Sequence, residues 1–276
     1  MVVYDLHNGI KAKRWQYIIM LFITLILVLI MVFRYQTYYK LGRIDGQFSM
    51  IDILLYWFRG TMPINPENIK DFNITDQYLF MNVYMAFIIG NYIVKDLDGV
   101  GIQVLCRTQR TIWWRSKVIW NVCTVLMFFA CIYTLIFIVC LVHPNGTVGL
   151  SLNQEFIKLI GYNISDLEIG INMFATIIIM PIVSMLEISL LQMLVALTVS
   201  PIVGYILVIV QMIFSIFYTG FLLPGNGLML IRNEMFLSGG VSTISVIAGG
   251  FIIWIMAYII GYIYSDKFDI MNINRM

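Results

Sequence analysis

Val118-Ile-Trp-Asn-Val-Cys-Thr-Val-Leu-Met-Phe-Phe-Ala-Cys-Ile-Tyr-Thr-Leu-Ile-Phe-Ile-Val-Cys-Leu-Val142 carries no charge over 25 residues. At about 1.5 Å per helical residue it is long enough to cross a hydrocarbon core of about 30 Å. Comparable runs lie on both sides of it, at Tyr17–Phe33, Tyr78–Val94, Met173–Leu197, Ile202–Leu223 and Val241–Tyr264. A barrel would need alternating strands of about 10 residues instead of continuous apolar runs. The expected fold is therefore an all-α polytopic membrane bundle of six transmembrane helices in one domain, residues 1–276.

Composition agrees with this reading. The 276 residues are 61% hydrophobic and only 12% charged, with a mean hydropathy of +0.88. Soluble domains carry about 25% charge. The longest connection, residues 34–77, is too short for an enzyme with its own large core. A net charge of +2 gives no overall basic field for nucleic acid. No P-loop, HExxH, CxxC or potassium-filter motif occurs, and neither His7 nor His143 lies in a span. No cofactor, metal or catalytic residue is expected in this chain.

Lys and Arg set the orientation. The segments sharing a side with the N-terminus hold ten, in 1–16, 95–117 and after Tyr264, within about 55 residues. The opposite side holds seven within about 92 residues, which places both termini in the cytoplasm and the chain in the plasma membrane. Arg34, Lys40 and Arg43 run against this count. The aromatic belts around Tyr17–Phe33 and the absence of a small-residue cleavage site mark that run as a retained span.

Several connections read as helices. Val2–Trp15 suits a short interfacial helix with its apolar face down and basic residues toward anionic lipid. Phe48–Arg59 is too short to span and suggests an amphipathic helix on the outer surface, or a lid. Pro224-Gly-Asn-Gly227 and Gly239-Gly240 bracket an apolar piece, Leu228–Leu237, expected to be a re-entrant or surface helix before the sixth span. Residues 95–117 hold five of the seventeen basic residues and, through Ile102, Leu105, Gln109, Ile112 and Ser116, a helical apolar spacing. That loop is either a docking helix for a cytoplasmic partner or ordinary positive-inside anchoring.

Inside the spans Glu187 is the sole acid, near the middle of the fourth run. A carboxylate there must face the bundle interior, pair or carry a proton. Pro181 predicts a kink six residues earlier. Asn82, Asn91 and Gln192 are further candidates for a cavity or gate around it. Ala257 and Gly261 stand at small-xxx-small spacing and predict close packing of the last helix.

The basic N-terminal helix, six spans, the loop between spans two and three and the helical excursion before the sixth together resemble the membrane-spanning subunits of type-2 ABC exporters. Asp96 or Asp98, Gly99, Leu105, Arg107, Arg110, Trp114, Ser116 and Lys117 stand where that family carries an acid, a glycine, an aliphatic helix, basic residues, an aromatic and a Ser-Lys pair. Here the acid-to-glycine spacing is compressed, no Thr follows Gly99, and Thr108 occupies the area of a frequent proline. The resemblance implies that residues 97–112, with Ile102 included, form a coupling helix on a separate P-loop ATPase, which binds ATP and Mg. It implies a second copy or similar permease, alternating access, and a peptide, antibiotic or other amphiphile as cargo. The alternative is a secondary ion-coupled transporter, or a membrane scaffold or sensor centred on Glu187.

Overall fold

The computed structural model describes residues 1–63, 74–97, 103, 107–149, 151–162 and 171–267, and these are mostly helical. In chain order the helices are α1 (Val2–Ala12), α2 (Arg14–Lys40), α3 (Met50–Trp57), α4 (Asp76–Ile89), α5 (Tyr92–Leu97) and α6 (Arg110–Val142). They continue with α7 (Gln154–Leu159), α8 (Ile171–Phe174), α9 (Met180–Thr198), α10 (Pro201–Phe217) and α11 (Thr243–Lys267). Two short strands, β1 (Phe48–Ser49) and β2 (Gly146–Thr147), pair in parallel at the far end of α2 and α6.

Five helical stretches among the described residues are long and apolar enough to cross a membrane: Arg14–Lys40, Asp76–Leu97, Arg110–Val142, Asn172–Thr198 and Thr243–Lys267. The protein is a membrane-embedded helical bundle. The fifth expected span, Ile202–Leu223, is a shorter helix that stops at Phe217, where Tyr218 turns to extended backbone. α10 nevertheless runs antiparallel to α4 over most of that helix, from Gly90 packed on Tyr205 to the Tyr78 hydroxyl donating to the Met212 carbonyl (3.4 Å).

The outer helices each bury one stripe and leave the rest apolar and exposed, as lipid contact requires, whereas α9 has no exposed residue and lies at the centre of the bundle. On α2 the buried stripe is Tyr17, Met20, Thr24, Val28, Met31 and Tyr35, while Phe22, Leu29 and Phe33 face outward. The small residues of α11 act as the sequence implies. Gly261 lies against the Trp114 indole and Gly250 against Val183, with no room for a Cβ at either position. Ahead of α9, a π-helical turn at Ala175–Ile179 precedes Pro181, which lacks the N–H for a regular ladder.

α1 forms as expected over Val2–Ala12, with Asp5 and Gly9 on its buried face and Val3 and Ile10 exposed. Two expectations about the connections need correction. α3 is not a surface amphipathic helix. Every residue from Ile51 to Phe58 is buried, and Asp52 and Ser49 cap the helix reciprocally. Leu228–Leu237 forms no regular helix; two 3-10 turns, Pro224–Leu228 and Leu230–Arg232, bury it beneath Phe58 and Arg59, whose carbonyls accept from the Leu230 (2.8 Å) and Ile231 (3.1 Å) amides. Backbone of this kind survives at membrane depth only when protein covers it.

Candidate functional site

Three helices bring side chains together at the end of the bundle that carries α1. Each contributes residues spaced to share one helical face: Asp5 and Gly9 on α1, Tyr92 and Asp96 on α5, and Trp113, Ser116, Lys117 and Trp120 on α6. The Lys117 ammonium is wholly buried and bridges the carboxylates of Asp5 (2.5 Å) and Asp96 (2.6 Å). Asp5 also accepts from the hydroxyls of Ser116 and Tyr92 (3.1 Å), and Asp96 from Trp113 Nε1 (3.2 Å). The Tyr92 and Trp113 rings flank the ammonium at 4.9 and 5.5 Å. A buried ion set persists only with this degree of hydrogen bonding.

Tyr92 stacks on Trp120 at 3.8 Å, and Gly9 sits against the Trp120 indole where any Cβ would clash. Lys13, at the joint between α1 and α2, lies 5.8 and 5.6 Å from these two rings. Burial, with the nearby charge of Lys95, pushes its pKa down to about 7.

The arrangement has a mechanical consequence. Asp96 stands in the last turn of α5 and Lys117 near the start of α6, so their ion pair ties α5 to α6, and Asp5 ties α1 to the same point.

The residues expected to meet an ATPase thus divide. Asp96, Trp114 and Lys117 face inward, the Trp114 indole donating to the Tyr258 carbonyl (3.0 Å). Trp114 and Lys117 are fully buried, and Asp96 is partly buried. Arg107 is exposed, and Arg110 donates to the Asp266 carbonyl (3.2 Å) at the surface. Asp98, Gly99, Ile102 and Leu105 lie outside the described residues.

The cavity and gate candidates do not converge. Glu187 is 2% exposed, faces Gly250 of α11, and its Oε1 has no hydrogen-bond partner among the described residues. Gln192 faces the other way and donates to the Ala86 carbonyl (2.9 Å). Asn82 donates to the Tyr78 carbonyl (3.0 Å) and accepts from Gln211 (3.2 Å), so Asn82, Gln192 and Gln211 tie α4 to α9 and α10, away from Glu187. Asn91 is exposed at the break between α4 and α5. Pro181 is buried at the start of α9, in the turn that follows the π-helix.

Arg232 was not among the sequence candidates. At the opposite end of the bundle it is fully buried and donates to six acceptors. Nε reaches the Thr61 carbonyl (2.7 Å), Nη1 those of Ser215 and Tyr218 (3.3 Å) and Asn226 Oδ1 (3.0 Å), and Nη2 those of Met62 (3.3 Å) and Ile216 (2.6 Å). Among the described residues it forms no ion pair. The negative end of the α10 dipole and the carbonyls supply the compensation. Burial lowers its pKa to about 10, so it stays cationic at neutral pH. A lone arginine in an apolar piece bracketed by Pro-Gly and Gly-Gly was the available sequence signal.

Among the described residues no group of His, Cys, Asp or Glu is placed to hold a metal. Comparison of the chain with known protein families, characterised proteins and solved structures finds no match.

Proposed function

We propose that this chain is the membrane permease subunit of an ATP-driven exporter of the type-2 ABC class. The observation that carries the reading is the Asp5–Lys117–Asp96 ion set, which ties α1, α5 and α6 to one point. In this reading α10 is the fifth of six crossings, both termini are cytoplasmic, and the loop docks on a P-loop ATPase that binds ATP and Mg. Closure of two ATPases displaces the loops, and the Asp5–Lys117–Asp96 set passes that displacement to α1, α5 and α6 as one block. A second permease copy completes the route for a peptide, antibiotic or other amphiphile, and a two-state rearrangement of the paired bundles moves it outward.

Gentle-detergent purification from the native host tests this directly. A stoichiometric P-loop ATPase is expected to travel with the chain and to be released by Arg107→Glu with Arg110→Glu. Repeated recovery of the chain without any ATPase, under conditions that keep other complexes whole, rejects the exporter.

The unpartnered Oε1 of buried Glu187 favours a second reading, an ion-coupled transporter. Glu187→Gln separates the two. Transport that survives the change, with ATP dependence, belongs to the exporter; transport that is lost while the fold is retained belongs to an ion-coupled route.

A further inference from the structure

Between the first turns of α6 and the middle of α11 runs a groove of about 380 Å³, lined by Arg115, Val118, Val122, Cys123, Trp254 and Tyr258. A smaller recess of about 170 Å³ continues it past Val122 and Trp254 to Val183 and Leu186 of α9. The walls are apolar, and the exposed side chains of Ile119, Phe251 and Ile255 place its mouth on the lipid-facing surface.

Two polar features punctuate this lining. Arg115 stands three residues before the charge-free run that begins at Val118, which is headgroup depth. Its guanidinium lies 5.4 Å from the Tyr262 ring centroid, and among the described residues it forms no ion pair. Trp254 Nε1 is buried and has no acceptor among the described residues. By helical rise Trp254, which lines the groove with Val122, lies about 10 Å further into the membrane than Arg115.

A cation without an ion pair at headgroup depth and an apolar channel below it match an amphiphile with an anionic head and a chain. We propose that this groove holds one anionic glycerophospholipid of the surrounding bilayer. Its phosphate pairs with Arg115, and one acyl chain runs between α6 and α11 past Trp254 toward Val183 and Leu186. The site fastens the last helix to α6 through the lipid and does not depend on the exporter reading.

The test uses the full chain in nanodiscs with a low, fixed fraction of chain-brominated lipid. The Trp254 signal is taken as the difference between the native chain and Trp254→Phe, each checked for equal helix content. Brominated phosphatidylglycerol is expected to quench that signal about fivefold more effectively than brominated phosphatidylcholine, the factor for one cationic side chain near an anionic surface. Arg115→Gln is expected to abolish the preference, and Val122→Phe, which fills the groove, to reduce quenching by both lipids. Equal quenching by the two lipids, or a preference that survives Arg115→Gln, overturns the proposal. So does a Cys123–Cys123 crosslink between chains with quenching absent, which assigns the groove to a second copy.

Discussion

The two ends of the bundle each bury a cation, and they neutralise it by different means. At the α1 end Lys117 meets two carboxylates, from residues 112 and 21 positions earlier in the chain. At the opposite end Arg232 meets five backbone carbonyls and one side-chain amide, drawn from 61–62, 215–218 and 226. An ion set made of side chains moves as a unit with the helices that carry it. A cage made of carbonyls holds only while three separate backbone segments keep their places. The first suits a lever and the second a closure, and each fails differently under mutation.

The largest effect is expected at Lys117. Lys117→Met leaves two buried carboxylates without their cation and should destabilise the bundle by about 3–5 kcal/mol. Adding Asp5→Asn and Asp96→Asn should recover most of that loss, measured as the thermal unfolding midpoint in detergent. No recovery in the triple variant would mean that the ions do more than neutralise one another.

Arg232 should break the symmetry of the comparison. Lysine keeps the charge but offers three donors where six acceptors wait, and each orphaned buried polar group costs about 1–3 kcal/mol. Arg232→Lys is therefore expected to lose roughly 2–4 kcal/mol, with little that a second side-chain change could restore, because five of the six acceptors are backbone carbonyls. Faster labelling of Thr61→Cys by a water-soluble thiol reagent, when combined with Arg232→Lys, would show that the cage closes this end. Unchanged labelling would leave Arg232 a local helix cap.

Gly9→Ala separates packing from charge at the α1 end. A Cβ there falls 2.1 Å from Trp120 Nε1, so α1 must lift although Asp5 and Lys117 are intact. The expected cost is about 1–3 kcal/mol, with earlier proteolysis within α1.

The last test is the pH response of Lys13. Its pKa is about 7 in the folded chain against 10.5 for the free side chain, so between those values the unfolded state binds more protons and stability falls as pH is lowered. Lys13→Met should flatten the unfolding midpoint between pH 7 and 10 relative to the native chain. An identical slope in both chains would place the titration elsewhere.

Much of the architecture was legible in the amino-acid order because membrane insertion is governed by local length and hydropathy. The expected runs at Tyr17–Phe33 and Val118–Val142 sit within longer helices, and Val241–Tyr264 is matched by a helix that starts two residues later, since helices extend past the hydrocarbon boundary at Arg14, Arg110 and Lys267. The fifth run misled. Hydropathy carried it to Leu223, but Arg232 takes the carbonyls that end α10 at Phe217, and hydropathy does not register a cap supplied from another segment. The 48–59 helix was found and its surroundings misjudged, because an apolar helix looks the same on a bilayer surface as under a cover of protein.

The site was legible only in part. Asp96, Trp114 and Lys117 stood out by position in a basic loop, yet their inward direction came from Asp5 and Tyr258, which lie far away in the chain. Sequence alone determined that this is a helical membrane protein with a basic loop between the second and third runs and one acid in a span, since those properties follow from composition within single segments. Tertiary structure decided which buried charges meet, which are caged and which stay unpartnered. A buried charge is stabilised by whatever the fold places within about 3 Å of it, and that neighbour is set by packing between helices.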